Sequence, residues 1–253
     1  MAIAVFLAVG IIASILTGIF AIFGISSLID VLNNNVETMN YTKEYQSINS
    51  IIIDIAAAEM DIRSAEVLKI EGTNIPVDYK FKEDDGVLKI SNKKVSQDSK
   101  LVIYIPNNMN KLQLDIGAGK IQMEDIRIKQ LDLDTGAANT EITNLIVTSD
   151  LDIDMGVGDI LIENSDVTNL DLDAGVGSVE YDGYLRGTNN INCGVGNLDI
   201  NLQGTQTMYK IMAERGIGEL KINGTRLSGN QTIGEGSNVI KISGGIGSLS
   251  ITY

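Results

Sequence analysis

A glycine pair recurs through the second half of this chain at nearly constant spacing, and that period limits the folds open to it. The triplets are Gly117-Ala118-Gly119, Gly156-Val157-Gly158, Gly175-Val176-Gly177, Gly194-Val195-Gly196, Gly216-Ile217-Gly218 and Gly245-Ile246-Gly247, with Gly136-Ala137-Ala138 filling the gap after the first. Their leading glycines step by 19, 20, 19, 19, 22 and 29 residues. A repeat of about 20 residues marks a stack of similar units, each too small to bury its apolar side alone.

The residues around each pair fix the kind of unit. Leu131-Asp132-Leu133-Asp134, Leu151-Asp152-Ile153-Asp154 and Leu170-Asp171-Leu172-Asp173 alternate before the glycines. Ile121/Met123, Thr140/Ile142, Ile160/Ile162, Val179/Tyr181, Leu198/Ile200, Leu220/Ile222 and Leu249/Ile251 alternate after them. Period two places one face of a strand inward, and a helix cannot carry it. The expected fold is all-β, a parallel β-solenoid of about 20 residues per coil. Glycine at the corner lets the backbone turn with positive φ and lets adjacent coils approach at strand spacing.

The solenoid is expected over 51–253, with irregular first coils at 51–110 and regular repeats at 111–253. Asp54-Ile55-Ala56-Ala57-Ala58 reads as a degenerate first copy. Val67–Ile70, Val87–Ile90 and Leu101–Ile105 read as strands of the early coils, with Pro76 and Pro106 outside them. The last strand, Leu249-Ser250-Ile251-Thr252, runs to the end of the sequence, and Asn238 to Tyr253 carries no acid and only Lys241 as a charge. An unprotected strand edge pairs readily with another chain, so self-association through this C-terminal edge is expected.

Met1 to Gly24 contains no charged side chain, and Ala2 to Phe23 is almost wholly apolar. A helix needs about 20 such residues to cross a bilayer, and the run exceeds the apolar core of a cleaved signal peptide. Residues 1–24 therefore read as a transmembrane signal anchor and 25–50 as a polar stalk. The implied location is the cell membrane, single-pass, with the solenoid outside.

Net charge is −14, so no nucleic acid partner is expected. The sequence has no histidine, which excludes Ser-His-Asp and Cys-His catalysis and the common zinc sites. Its one cysteine, Cys193, occupies the inward slot held by Ala174 and Met155 in neighbouring copies, as a small hydrophobe does. The Gly-x-Gly triplets lack the third glycine and helix of a dinucleotide site.

The acids stand in register. Asp115, Asp134, Asp154 and Asp173 form one column, with Asp54 and Glu214 as outlying candidates. Asp132, Asp152 and Asp171 form a second, and Asn190 and Asn192 continue both without charge. Such a grid serves as a solvated face that keeps the array soluble, or as a site for Ca²⁺ or a cationic surface polymer, since hard cations favour several carboxylate oxygens. Paired carboxylates also cleave sugars, but an enzyme breaks its repeat with unique residues, and here the acids are the repeat. No catalytic residue, cofactor or committed metal site is assigned.

An apolar N-terminal run, the segment Val102-Ile103-Tyr104-Ile105-Pro106 and the repeated Leu-Asp-x-Asp-x-Gly-x-Gly-x-Ile pattern together resemble the bacterial "putative adhesin" family, a domain of unknown function in membrane proteins. The resemblance covers roughly residues 50 to 253. It implies a β-solenoid outside the membrane and carries no ligand and no functional residues. The expected role is non-enzymatic, a ligand-binding or scaffolding ectodomain of the cell envelope whose partner is a surface polymer or protein. The alternatives are a self-assembling structural solenoid and, behind it, an envelope carbohydrate-active enzyme.

Overall fold

The computed structural model describes residues 36–253. The anchor assigned to 1–24 lies outside the described residues, as does the first part of the stalk. The described chain is all-β and solenoid-like, with Gln206–Met208 as its only helical element, a single 3₁₀ turn.

Through the middle of the chain each strand pairs in parallel with its counterpart 18 to 20 residues away. Leu114, Leu133, Ile153, Leu172 and Ile191 lie side by side in successive coils. After the glycine corner, Ile121, Thr140, Ile160, Val179 and Leu198 make a second inward row. Ile128, Val147, Val167 and Leu185 make a third. The three rows meet in one continuous buried core. This is what the alternation dictates: each strand turns its branched aliphatic residues inward and its acids outward.

Two kinds of corner recur along the stack. At the glycine corner the coils touch through backbone. A Cβ added to Gly136 would lie 2.6 Å from the carbonyl oxygen of Gly117. Gly177 has φ +146°, and a Cβ there would collide with the carbonyl oxygen of Gly158. At the next corner Asp125, Asn144 and Asn164 take φ of 59°, 57° and 50°, a conformation these short polar residues tolerate better than others. Their side chains form a ladder. Asn144 Nδ2 donates to Asp125 Oδ1 at 2.7 Å and Asn164 Nδ2 to Asn144 Oδ1 at 2.5 Å.

Both ends depart from sequence order. Asn238–Thr252 does not lie at an edge. It pairs in parallel with Thr188–Val195 and Leu198–Leu202 on one side, and with Tyr209–Glu214 and Ile217–Ile222 on the other. At the opposite end Ser50–Ser64 is likewise inserted, between Lys111–Glu124 and the strands Val87–Asn92 and Lys100–Ile105. Each outermost coil is then covered by antiparallel strands. Lys80–Asp84 pairs with Val87–Asn92 and Leu68–Pro76 with Lys100–Ile105, while Gln231–Ile233 pairs with Tyr209–Glu214 and Thr225–Leu227 with Ile217–Ile222.

These arrangements correct three expectations. The C-terminal edge is occupied, because the strand expected to expose it has neighbours on both sides. The segment 51–64 is not irregular; it matches Lys111–Glu124 residue for residue from Ile51 to Ile55 and again from Ala57 to Arg63. Part of the presumed stalk is a strand, Thr38–Tyr45, paired antiparallel with Leu68–Pro76, which includes Pro76 as its last residue. Met39, Tyr41 and Tyr45 alternate there, and interleaved polar residues masked the pattern. Tyr45 is buried, and Tyr41 stacks on Phe81 with ring centroids 4.0 Å apart.

Candidate binding faces

The strand before each glycine corner sets both acid columns, because inward Leu and Ile force the residues between them outward. The register places Asp54, Asp115, Asp134, Asp154, Asp173, Asn192, Ser243 and Glu214 in one row across eight coils. Asp132, Asp152, Asp171, Asn190, Lys241 and Met212 make the parallel row two residues away. All seven grid acids are thus brought onto one face. Glu214 joins the first row only because Ser243 lies between it and Asn192.

The electrostatics are those of crowded like charges. Asp134 and Asp152 are held above the usual carboxylate range, first by partial desolvation and then by neighbouring acids, Asp115, Asp154 and Asp132 for the one and Asp132, Asp154, Asp171 and Asp173 for the other. Relief is local. Lys93 pairs with Asp54, Lys111 Nζ lies 3.4 Å from Asp132, and Asn192 Nδ2 donates to Asp173 at 2.7 Å. The carboxylates stand in open rows rather than converging, and among the described residues no cluster of three acids, His or Cys is arranged to hold a metal ion.

The face has relief. Asp134, Asp154 and Asp173 wall a shallow trough of about 480 Å³ along Gly136, Gly156 and Gly175. Further along, where the C-terminal strand is inserted, Asp171, Asp173, Asn190, Asn192, Lys241 and Glu214 surround a second hollow of about 430 Å³. Cys193 is buried, aligned with Ala174 and Gly244, and burial pushes its thiol up. The outward residues between the glycines of each pair also form a row, which a reading of those triplets as corners alone overlooks.

The family model for Toastrack DUF4097 matches residues 28–232 of this chain. The chain belongs to the Toastrack DUF4097 family. This Toastrack chain also shares its fold with a solved structure titled a putative adhesin from Bacteroides fragilis, at 18% identity and a TM-score of 0.53, over 85% of this chain and 98% of that one. A putative cell adhesion protein from Clostridium sporogenes matches at 17% identity and TM-score 0.39, covering 85% and 99%. A putative lipid binding protein from Parabacteroides distasonis matches at 12% and 0.34, covering 85% and 98%. The last two likenesses are too loose in shape to carry an argument. Curated proteins gave no match.

Proposed function

We propose that this Toastrack chain is a non-enzymatic binding or scaffolding protein of the cell envelope, held to the membrane by residues 1–24 with its solenoid-like domain outside. The observation that carries the reading is the repetition of the outward rows. The same side-chain types recur coil after coil along one face, which suits an extended contact surface. A reaction centre needs a few unlike groups converging on one point. The sequence has no histidine, and its one thiol is buried with a raised pKa, the reverse of an activated nucleophile. The fold shared with a structure titled a putative adhesin agrees with a surface role. The uncharged segment 1–24 is long enough to span a bilayer as a helix, which supports the membrane attachment.

Fractionation and protease shaving of cells that express the full chain with a C-terminal tag test this. The chain should sediment with membranes, resist extraction by carbonate, and lose its tag to protease added to intact cells. Deleting 1–24 should release it from the membrane. A tag protected in intact cells, or a full chain found in the soluble cytosolic fraction, overturns the proposal.

A further inference from the structure

The middle residue of each corner triplet points outward, and these residues stack in register. Ala118, Ala137, Val157, Val176, Val195, Ile246 and Ile217 follow one another across seven coils. Every member is apolar, and size grows along the row from Ala to Val to Ile. The first five are half-buried, whereas Ile246 is 39% and Ile217 73% exposed. Corner geometry favours glycine beside the middle residue but asks nothing apolar of it, since its side chain meets solvent. Six steps at strand spacing from Ala118 to Ile217 make a ridge about 29 Å long, and Ala57 beside Ala118 continues it by one step more.

Carboxylates follow the ridge on both flanks. On one side runs the trough with its glycine floor and its wall of Asp134, Asp154 and Asp173. On the other, Glu141, Glu180 and Asp199 face outward in the row that passes through Leu161. Three cations stand near its ends: Lys120, which is paired with Glu141 at 3.3 Å; Arg215, whose guanidinium donates to the Gly218 carbonyl; and Lys221, which continues the outward row past Ser250 and is paired with Glu219 at 2.8 Å. The middle of the ridge is an apolar line between negative margins. A second copy of this chain would set acid against acid there, and an anionic lipid surface would be repelled.

We infer that this ridge docks a cationic amphipathic helix of a partner polypeptide, its apolar stripe on Val157, Val176 and Val195 and its basic margin in the acid-walled trough. The dimensions fit. A helix of about 20 residues is about 30 Å long, the length of the ridge, and its apolar stripe repeats every turn at about 5.4 Å, close to the inter-coil step. Lys and Arg bordering that stripe reach the carboxylates with their aliphatic stems lying over the glycines. The inference rests on the binding role proposed above and supplies the chemistry of the partner.

The test uses the full chain in nanodiscs of zwitterionic lipid and a synthetic Leu/Lys amphipathic helix of about 20 residues. A fluorophore on S178C, beside the ridge, reports arrival there and not in the lipid. The expected result is saturable binding that weakens at least about tenfold when Val157, Val176, Val195, Ile246 and Ile217 become Thr, a change that removes apolar contact and leaves every charge in place. Independently, D134N/D154N/D173N should weaken binding and flatten its salt dependence. A scrambled peptide of the same composition should bind at least about tenfold more weakly, having the charge without the stripe. Equal binding of the scrambled peptide, or of the Thr variant with an unchanged melting curve, reduces the interaction to charge alone and overturns the inference. Cell fractionation decides the envelope reading separately, so either result can fail while the other stands.

Discussion

Single residues carry the close approach of coils, and the two kinds of positive-φ glycine separate what that approach costs. Gly177 combines φ +146° with a neighbouring carbonyl where its Cβ would go, whereas Gly224 has φ +74° and nothing within 4 Å. Gly177→Ala should therefore lose about 3 kcal/mol or more, since strain and collision add. Gly224→Ala should lose about 1 kcal/mol from conformation alone. Chemical denaturation of the two variants measures the difference, and equal losses would show that the corner yields. The acid rows act at the same scale. A folded-state pKa raised above the unfolded carboxylate value means that the folded protein binds more protons, so stability falls as pH rises through that window. Asp134 and Asp152 are raised in this way. Asp134→Asn with Asp152→Asn should raise the melting temperature at pH 7, and the gain should shrink as the wild type is acidified towards pH 4.5. Asp150 works in the opposite sense, because hydrogen bonds from Ser149, Gln130 and Asn169 depress its pKa and their contribution is lost on acidification.

At the scale of strands, insertion of Asn238–Thr252 depends on a polar residue in an apolar row. Asn189 is fully buried where earlier coils place Leu. Its Oδ1 accepts from the Leu170 N–H at 2.9 Å, and its Nδ2 donates to the carbonyls of Val239 at 3.2 Å and Arg186 at 3.3 Å. Asn189→Leu would continue the apolar row yet leave buried backbone groups unpaired, so it should cost about 2–3 kcal/mol. A neutral or stabilising outcome in thermal unfolding would mean that packing alone holds the insert. Hydrogen exchange should also find the amides of Ile240 and Ile242 among the slowest, although they lie near the end of the sequence, and those of Thr225–Leu227 and Gln231–Ile233 among the fastest. The acid columns were legible because alternation and period both survive from Lys111 to Asn192. The insertion was not, because pairing of Cys193 with Gly244 and Glu214 with Ser243 skips the intervening chain. Steps of 22 and 29 between glycines showed only that the period lapses there.

For the whole molecule, the inserted strands at both ends tie chain order to the order in which a coil can be completed. Tyr209–Glu214 and Ile217–Ile222 are made before Asn238–Thr252, yet their parallel partner is that later segment. During synthesis at 5–20 residues per second, about 2–6 s separate residue 222 from residue 252. Through that interval the apolar residues Ile211, Leu220 and Ile222, all buried in the finished fold, have no coil to cover them. The same holds at the other end, where Ser50–Ser64 must wait for Val87–Asn92 and Lys100–Ile105. Ribosome-stalled chains make the delay measurable. Stalled after residue 237 with a linker that clears the ribosome, residues 209–222 should be cut readily by protease; stalled after residue 253, they should resist. If the chain crosses a membrane while still being made, the side on which Asn238–Thr252 emerges is where the stack closes, and a factor that shelters unpaired strands is needed on that side for those seconds.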